Sequence, residues 1–222
     1  MAKELKQTKR RILLVDDHPL LRKGIGQLID EQEDLVVCGE AEDRAGALAA
    51  IEQCQPDLAV IDLSLKEDLG LELIKDCKFR FPSLLILVLS MHDERFYAER
   101  VLRAGARGYI MKAEASDKVL TALREVLSGG VFVSRSVAGQ ILDNVSGTPR
   151  QAERNQWSNL TDRESEVFAL IGKGYGSQQI GKRLNLSIKT IETHRANIKQ
   201  KLGLTTTQDL LQNAIQFTQQ GG

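Results

Sequence analysis

The sequence predicts an α/β fold with a five-stranded parallel sheet, followed by a separate all-α domain. Between residues 11 and 130, five short apolar runs alternate with helical patterns, and this alternation is typical of parallel strands joined by right-handed helical crossovers. Beyond residue 157 no strand pattern returns, and residues 160–217 show helical periodicity with three short breaks. At 222 residues the chain is long enough for two modest domains.

Each predicted strand is a continuous run of mainly apolar residues, the pattern of a strand buried on both faces. The five strands are predicted at Ile12–Val15, Leu35–Cys38, Leu58–Ile61, Leu84–Leu89 and Gly108–Met111. Local signals mark some of the helices between them: Pro19 suits a first helical turn, and Asp43 and Ser116 are predicted as N-caps. We expect the strand order 2-1-3-4-5 of flavodoxin-like sheets.

Charge is distributed unevenly although the chain as a whole is neutral, with 30 Lys and Arg residues and 30 Asp and Glu residues. Residues 11–130 contain 15 basic and 22 acidic side chains, a net charge of −7. Residues 150–222 contain 10 basic and 6 acidic side chains, a net charge of +4. This asymmetry indicates two domains with different partners, and the second is a candidate for binding nucleic acid.

The sequence contains no pattern that predicts export or membrane insertion. The segment Met1–Arg11 is polar and basic, and the longest apolar run, Leu84–Leu89, is too short to span a bilayer. The three cysteines lack Cys-x-x-Cys spacing, which favours reduced thiols over disulfides or metal ligands. We therefore expect a cytoplasmic protein without a membrane partner.

Residues 131–157 are predicted to connect the two domains. A short helix is expected at Ser134–Asn144, and the residues after it, Val145–Gln156, are rich in Ser, Gly, Pro, Asn and Gln. That composition is typical of a flexible linker. The predicted domains are therefore residues 11–130 and residues 158–222.

Polar side chains follow the predicted strands at their carboxyl ends, where α/β sheets bind ligands. Strands 1 and 3 are neighbours in the expected order, so Asp16, Asp17 and Asp62 converge on one crevice. Packed carboxylates repel one another, and a hard cation such as Mg²⁺ suits oxygen ligands at this density. Strand 4 adds the Ser90 hydroxyl and strand 5 the Lys112 ammonium. Together these groups predict a site where a carboxylate accepts a phosphoryl group.

Each of these residues also has a purely structural interpretation. The pair Asp16-Asp17 could cap the next helix, and Asp62 and Ser90 could be turn residues. Lys112 could be a solvated surface charge. Their common position at strand ends favours the site over the separate structural roles.

Four short strings within residues 11–130 resemble the receiver domain of bacterial response regulators. They are Val15-Asp16-Asp17-His18-Pro19, Ile61-Asp62-Leu63, Leu89-Ser90 and Tyr109-Ile110-Met111-Lys112. The resemblance implies that Asp62 is phosphorylated by a sensor histidine kinase. It implies direct Mg²⁺ ligation by Asp17, Asp62 and the Ser64 carbonyl, with Asp16 acting through water. The remaining implied roles are a switch hydroxyl, a switch aromatic residue and a phosphate-binding cation: Ser90, Tyr109 and Lys112.

Two places depart from the family pattern. Leu65-Lys66 stands where many receivers have Met-Pro, and Ala113 follows Lys112 where many have proline. Lys66 adds a cation near the acceptor and Ala113 relaxes the lysine's loop, so both are candidates for altering the phosphoryl lifetime. His18 is interpreted as a loop or helix-entry residue and not as a phosphorelay histidine.

The last domain is predicted to open with a capping box, in which Thr161 and Glu164 satisfy donors at a helix start. Further helices follow the breaks at Gly172–Gly176 and Asn185–Ser187. In the segment Ile188–Leu202, apolar residues keep helical spacing while basic residues point elsewhere. Those basic residues are candidate phosphate contacts: Lys189, Arg195, Lys199 and Lys201. The periodicity alone also fits any small helical bundle.

The segment Leu160–Leu204 resembles the LuxR-type helix-turn-helix. The matching strings are Leu-Thr-x-Arg-Glu-x-Glu-Val, Leu-Ser-x-x-Thr-Ile-x-x-His and Ile-x-x-Lys-Leu-Gly. A receiver followed by this domain is the arrangement of the NarL/FixJ class. The resemblance implies that Ile188–Leu202 is the recognition helix, with a base-facing surface formed by Glu192, Thr193 and Ala196. It implies phosphate contacts by Lys182, Lys189, Thr190, Arg195 and Lys199.

Two positions in the helix-turn-helix depart from the family pattern. Gln179 stands where the family commonly has glutamate, and Gly181 where it commonly has alanine. Gly181 costs about 1 kcal/mol of helix propensity relative to alanine, but its small size preserves contact between helices. His194 is interpreted as a packing residue and not as a base-reading one.

The final helix, about Thr207–Thr218, corresponds to the helix that the family uses for dimerisation on DNA. Its apolar positions are Leu210, Leu211, Ala214 and Phe217. We expect part of this apolar face to cover the domain's own core and part to be shared between two protomers.

The resemblance as a whole implies a DNA-binding response regulator that forms a dimer on double-stranded promoter DNA, with RNA polymerase as a further partner. No enzymatic activity is expected beyond slow loss of the phosphoryl group from Asp62. One alternative is an Mg²⁺-dependent aspartyl phosphatase, disfavoured because Ser64 stands where such enzymes usually have a second acid. Another is a receiver that acts without phosphorylation, as a protein–protein switch or a constitutive DNA binder.

We predict that Lys199→Ala weakens binding to all DNA sequences by a similar factor, because a phosphate contact carries no base information. The slope of log K against log salt should become shallower by about 1. Fluorescence anisotropy on a promoter duplex and its single-base-pair variants, at several salt concentrations, measures both quantities. A loss of affinity confined to one base-pair position would contradict the phosphate role.

Overall fold

The computed structural model of the protein describes residues 9–65, 70–91, 94–146, 157, 160–184 and 186–220. The chain divides near residue 138 into two compact units, and each unit is described by itself. Among the described residues, no helix is both long enough and apolar enough to cross a lipid bilayer.

The first unit contains a five-stranded parallel sheet with the order β2-β1-β3-β4-β5, which confirms the predicted fold class. The strands are β1 (Arg10–Val15), β2 (Leu35–Ala41), β3 (Leu58–Asp62), β4 (Leu85–Ser90) and β5 (Gly108–Met111). β3 is the central strand and every one of its residues is buried, including Asp62 at its end. A strand covered on both faces requires such an apolar run.

The sheet is accompanied by α1 (Pro19–Asp30), α2 (Arg44–Cys54), α3 (Gly70–Arg80), α4 (Glu94–Arg103) and α5 (Ala115–Leu127). Two helix starts follow the predicted signals. Pro19 is the first residue of α1, and the Asp43 carboxylate accepts a hydrogen bond from the Gly46 N–H at 2.8 Å. The predicted Ser116 cap is wrong, because a 3-10 turn at Lys112–Glu114 leads from β5 into α5 and places Ser116 inside the first helical turn.

One large apolar cluster joins α1 and α5 to one face of the sheet. Alternate strand residues point into it, as the two-residue period of a strand requires. Leu14, Val60 and Leu89 belong to this cluster and are buried near the carboxyl ends of their strands. Because these positions are packed, the polar residues at the carboxyl ends of β1, β3 and β4 have little freedom of placement.

The segment after α5 extends the edge of the sheet. The Phe132 N–H donates to the Arg107 carbonyl at 3.0 Å, and the Tyr109 N–H donates to the Phe132 carbonyl at 2.8 Å. The Phe132 side chain packs against the apolar cluster. The helix α6 (Arg135–Ser146) follows, close to the predicted Ser134–Asn144. The linker-like residues 147–156 lie outside the described residues.

The second unit contains the helices α7 (Asp162–Gly172), α8 (Ser177–Leu184), α9 (Ile188–Leu202) and α10 (Thr207–Gln220). Their shared core includes Phe168, Ile180, Ile191, Ile198 and Leu210. Trp157 is buried in this core, with its ring 5.2 Å from that of Phe217. The residue predicted as the last one of the connector therefore packs as part of the helical unit.

The helices α7 and α10 approach closely at Gly172. A Cβ at this position would overlap the backbone carbonyl of Ala214, so the two helices would have to move apart. We predict that Gly172→Ala lowers the free energy of unfolding of the second unit by about 3 kcal/mol. Urea unfolding followed by the fluorescence of Trp157, the single tryptophan of the chain, measures the change.

The matched control is Gly176→Ala in the same unit. A Cβ at Gly176 would have its nearest neighbour, the Gln179 Oε1, at 4.0 Å. This control is expected to change the free energy of unfolding by less than about 0.5 kcal/mol. Identical unfolding midpoints for the Gly172→Ala variant and the unmodified protein would rule out the close packing as a source of stability.

Candidate functional site: an acidic pocket and a helix-turn-helix

Three carboxylates converge at the carboxyl ends of β1 and β3. These strands pair directly in the sheet, so Asp16, Asp17 and Asp62 leave it side by side. Asp62 is 1% exposed and Asp16 is 5% exposed. One oxygen from each of the three acids and one ring nitrogen of His18 all lie within 4.8 Å of one another. The structure thus brings together the three acids that the sequence predicted.

Lys112 supplies positive charge to the pocket. Its Nζ lies 2.7 Å from Asp62 Oδ2 and 2.8 Å from Asp16 Oδ2. Burial raises the pKa of the Asp62 carboxyl above its ordinary value. Lys112 opposes that shift, as does the Ser64 N–H, which donates to Asp62 Oδ1 at 3.0 Å. The ammonium therefore offsets both the burial of the carboxylates and their mutual repulsion.

His18 contacts the acids in a way that sequence reasoning missed. It occupies the N-cap position of α1, in agreement with the helix-entry interpretation. Its Nδ1 lies 2.8 Å from Asp17 Oδ1 and 3.0 Å from Asp16 Oδ1, and its backbone N–H donates to Asp16 Oδ1 at 2.8 Å. The available signal was its place directly after the acidic pair, but the direction of the ring depends on how the chain turns into α1.

Arg22 of α1 is a second contributor that sequence reasoning missed. Its Nη1 donates to the Asp16 carbonyl oxygen at 2.5 Å, and its Nε donates to Glu40 Oε2 at 2.6 Å. Arg22 therefore ties the end of β1 to β2. The sequence signal was its place four residues after His18, on the same side of α1.

The predicted switch residues lie on β4 and β5, and both side chains are buried. Ser90 ends β4, one residue beyond Leu89, which pairs with Asp62. Tyr109 is the second residue of β5, and its backbone N–H binds the Phe132 carbonyl. Ser90 thus lies at the same edge of the sheet as the acids, whereas Tyr109 lies further back along its strand.

The donor set of the pocket fits a hard divalent cation. Asp16 Oδ2 and Asp17 Oδ1 are buried oxygens that accept no well-aligned hydrogen bond from the described residues, although Lys112 Nζ and His18 Nδ1, respectively, lie 2.8 Å away. Ser64 lies in the turn after β3, two residues beyond Asp62. Carboxylate and carbonyl oxygens are the ligands that Mg²⁺ prefers in proteins.

The helix α7 begins with the predicted capping box. The Glu164 N–H donates to Thr161 Oγ1 at 3.3 Å, and the Thr161 N–H donates to Glu164 Oε2 at 2.7 Å. Lys201 at the end of α9 also donates to Glu164 Oε2 at 2.7 Å. The sequence made Lys201 a candidate phosphate contact. In the structure it forms an ion pair with Glu164, and this pair connects α9 with the start of α7.

The helix α9 buries one side and exposes another. Ser187 caps its start by accepting from the Thr190 N–H at 3.1 Å, and Ile191 and Ile198 are buried. The residues predicted to face bases are all exposed: Glu192, Thr193 and Ala196. The predicted phosphate contacts are exposed or partly exposed: Lys182, Lys189, Thr190, Arg195 and Lys199. His194 is partly buried.

One base-facing side chain of α9 is held by the preceding helix. Ser177 Oγ, at the start of α8, donates to Glu192 Oε1 at 2.5 Å. Glu192 Oε2 lies 3.9 Å from Arg195 Nε. The orientation of Glu192 is therefore set by contacts on two sides, which sequence spacing did not reveal.

Comparison with known proteins agrees with the geometry of the acidic pocket and with that of the helix-turn-helix. The family model of the response regulator receiver domain matches residues 12–124, and that of the bacterial regulatory proteins of the luxR family matches residues 158–214. The oxygen regulatory protein NreC of Staphylococcus carnosus (strain TM300) is 32% identical over 209 residues, covering 92% of this chain and 96% of that protein. The chain is a response regulator of the NarL/FixJ family. It is a DNA-binding regulator of the LuxR type.

Solved structures of other response regulators resemble this one over nearly its whole length. RcsB of Salmonella typhimurium bound to the promoter P1flhDC with the phosphomimetic BeF₃⁻ has a TM-score of 0.57 and 30% identity, covering 95% of this chain and 99% of that chain. ChrA of a heme-sensing two-component system has a TM-score of 0.51 and 26% identity, covering 96% of this chain and 99% of that chain.

The departures of this response regulator from the family pattern have different structural settings. Lys66 lies outside the described residues, and Ala113 lies in the 3-10 turn before α5. Gln179 Oε1 accepts from the Gly176 N–H at 3.0 Å and so helps to cap α8. A Cβ at Gly181 would lie 2.7 Å from the Leu186 carbonyl oxygen. The glycine therefore permits a close approach of the turn between α8 and α9.

The residues predicted for dimerisation do not share one environment in this response regulator. Leu210, Ala214 and Phe217 pack against the domain's own core, because their helical spacing places them on the side of α10 that faces α7. These three therefore belong to the part of the apolar face that was expected to cover the domain's own core. Leu211 is 41% exposed and Ile215 is 36% exposed, on the neighbouring side of α10.

Acid is predicted to weaken the helix-turn-helix domain through Glu164. Burial alone would raise the pKa of this carboxyl, but the hydrogen bonds from Lys201 and Thr161 bring it below its ordinary value of 4.5. A group with a lower pKa in the folded state stabilises the fold above its unfolded pKa and loses that effect as the pH falls through its folded pKa. Unfolding followed by Trp157 fluorescence between about pH 5.5 and 3 tests this.

Glu164→Gln should lower the free energy of unfolding at neutral pH by about 2 kcal/mol and flatten its dependence on acid. Glu192→Gln makes the same chemical change at a side chain that is 58% exposed, and should change stability by less than about 0.5 kcal/mol. If the acid dependence of Glu164→Gln equals that of the unmodified protein, the ion pair is not the source of the effect.

Proposed function

We propose that this response regulator is a transcription factor activated by phosphorylation of Asp62 by a sensor histidine kinase. The observation that carries the proposal is the buried Asp62 carboxylate beside Asp16 and Asp17, with Lys112 Nζ at 2.7 Å. A nucleophilic carboxylate next to a fixed cation is suited to accepting a phosphoryl group. Through the helix-turn-helix domain, this modification changes binding to promoter DNA.

In this mechanism an Asp62 oxygen attacks phosphorus, and the bond between phosphorus and the donor breaks. Lys112, which now neutralises Asp62 and Asp16, binds the incoming phosphoryl oxygens as negative charge moves onto them. Asp17, Asp62 and the Ser64 carbonyl would hold Mg²⁺ directly and Asp16 would do so through water. When bound, the ion offsets negative charge on the acids and on the phosphoryl group.

The response to phosphorylation passes through Ser90 and Tyr109. The Ser90 hydroxyl donates to a phosphoryl oxygen, and Tyr109 repacks towards the space that Ser90 leaves. The change is a shift of population, driven by the different contacts that the two states make with the phosphoryl group. Its path towards the DNA-binding domain is supported by the bond from the Tyr109 N–H to Phe132, which lies just before α6.

The helix-turn-helix is proposed to place α9 in the major groove of promoter DNA. Glu192 can accept from cytosine amino groups and the Ala196 methyl can contact thymine, with Thr193 beside them. The basic residues around this surface bind phosphates, and RNA polymerase is a further proposed partner. RcsB, a solved relative, is bound to promoter DNA, and two RcsB dimers have been solved on two parallel DNAs.

A dimer of this response regulator on DNA is proposed to use Leu211 and Ile215 of α10, which remain exposed. Residues 11–130 form the phosphoacceptor domain and residues 158–222, together with Trp157, form the DNA-binding domain. The protein is proposed to have no substrate turnover beyond hydrolysis of its own phosphoaspartate. The hydroxyl of Ser64 cannot supply the second acid of an aspartyl phosphatase at neutral pH.

The decisive experiment compares the unmodified protein with Asp62→Asn. With acetyl phosphate and Mg²⁺, the unmodified protein should gain one phosphoryl group by intact mass, and Asp62→Asn should gain none because its amide is not a nucleophile. Promoter binding measured under the same conditions should tighten about tenfold or more for the unmodified protein alone. Removing Mg²⁺ with a chelator should suppress the labelling.

The matched control is Asp76→Asn on α3, which changes a partly exposed aspartate that binds Arg44. It should be labelled and should bind DNA as the unmodified protein does. Equal promoter affinity of the unmodified protein and Asp62→Asn after phosphorylation would contradict the activation mechanism. Labelling of Asp62→Asn to the same extent would contradict the assignment of the acceptor.

A further inference from the structure

The edge strand β2 contains a bulge centred on Cys38. Ile12 of β1 pairs with Val37 and the next residue, Leu13, pairs with Gly39, so Cys38 is the extra residue in the register. A bulge leaves one residue unpaired and turns its side chain away from the regular alternation. Cys38 is therefore the residue of β2 that has no partner in the register with β1.

A second thiol lies beside the bulge. Cys54 is the last residue of α2, and this helix packs against β2. The Cys54 Sγ occupies the space above Gly39, where a Cβ would lie 2.9 Å from the sulfur. Both cysteines are partly exposed. The bulge and the glycine together thus create room for two thiols side by side at an accessible edge of the receiver.

A cation lies at the same place. Arg11 Nε and Nη2 donate to the Cys54 carbonyl at 3.0 Å and 2.8 Å. A thiol reacts as its thiolate, and a raised pKa makes the thiolate rarer. Burial raises the pKa of the Cys38 thiol, with Arg11 partly opposing the shift. Of the two sulfurs, Cys54 is therefore assigned the first reaction and Cys38 the second.

The third cysteine provides an internal contrast. Cys77 on α3 is fully buried, and burial raises the pKa of its thiol to about 11. Such a thiol is protected both by its low thiolate fraction and by its lack of access. Reactivity is thus expected at the pair in β2 and α2, and not at every cysteine of the chain.

We propose that Cys38 and Cys54 are a reversible oxidation site at which a peroxide forms an intramolecular disulfide. The Cys54 thiolate attacks one peroxide oxygen, the O–O bond breaks, and the leaving oxygen takes a proton to become water, which leaves a sulfenic acid. The Cys38 sulfur then gives up its proton and attacks the Cys54 sulfur, the S–O bond breaks and a second water leaves. In total, two thiols are oxidised and one hydrogen peroxide is reduced to two waters.

The disulfide would tie the end of α2 to β2. In the unfolded chain the disulfide would close a loop of intermediate length. This constraint raises the thermal midpoint of unfolding of the receiver by roughly 5 °C. A dithiol reductant reverses the reaction by thiol–disulfide exchange. The site is independent of phosphoryl transfer, because it uses none of the residues of the acidic pocket.

The test uses the reduced full-length protein, treated with hydrogen peroxide and then alkylated, digested and analysed by mass spectrometry without reduction. The expected product is a linked peptide pair containing Cys38 and Cys54, formed at least about tenfold faster than any oxidation of Cys77. Dithiothreitol should restore both thiols. The thermal midpoint should rise on oxidation and fall on reduction.

The variants Cys38→Ser and Cys54→Ser should each lose the linked peptide and the thermal shift, whereas Cys77→Ala should keep both. In Cys38→Ser, Cys54 should stop at a sulfenic acid that dimedone traps. The proposal is overturned if the peroxide-treated protein keeps both thiols free, or if the linkage joins two protein molecules instead of closing within one. Linkage of Cys77 at the same rate would also overturn it.

Discussion

The acidic pocket depends on the balance between burial and charge around Asp62. The carboxylate lies at the end of a central strand whose residues are all buried, so its charged form is unfavourable unless a counter-charge is close. Lys112 supplies that charge to Asp62 and Asp16 at once. An ion pair of this kind on the protein surface would contribute little to stability. A buried ion pair, in contrast, determines which of the side chains are charged. Lys112 reaches both acids from the 3-10 turn that directly follows β5.

The surroundings of the pocket connect it to distant parts of the receiver. Arg22 joins the Asp16 backbone to Glu40, so the end of β1 is fixed against β2. On the other side, β5 is hydrogen-bonded to the segment at Phe132, which leads to α6. Hydrogen bonds therefore connect the surroundings of the pocket with both edges of the sheet.

The helix-turn-helix domain obtains its geometry from a few contacts between distant positions. Glu164 accepts from Thr161 in the capping box and from Lys201 at the far end of α9. Gly172 lets α7 approach the backbone of α10, and Trp157 closes the core against Phe217. These contacts hold α9 so that Glu192, Thr193 and Ala196 remain exposed. The same core includes Leu210, Ala214 and Phe217 of α10, as was expected of part of that apolar face.

The sequence by itself determined the sheet order and the positions of Asp16, Asp62 and Lys112, because apolar periodicity and the adjacency of parallel strands are local or topological properties. The end of β2 was predicted at Cys38 but lies at Ala41, because the bulge at Cys38 interrupts the apolar pattern without ending the strand. It also determined the capping box, since Thr161 and Glu164 are three residues apart. Only the tertiary structure decided which partners those side chains find. His18, Lys201 and Cys38 meet groups whose proximity depends on a helix entry, a helix crossing or a bulge. Such contacts have no periodic signal, because they join positions through packing and not through spacing along the chain.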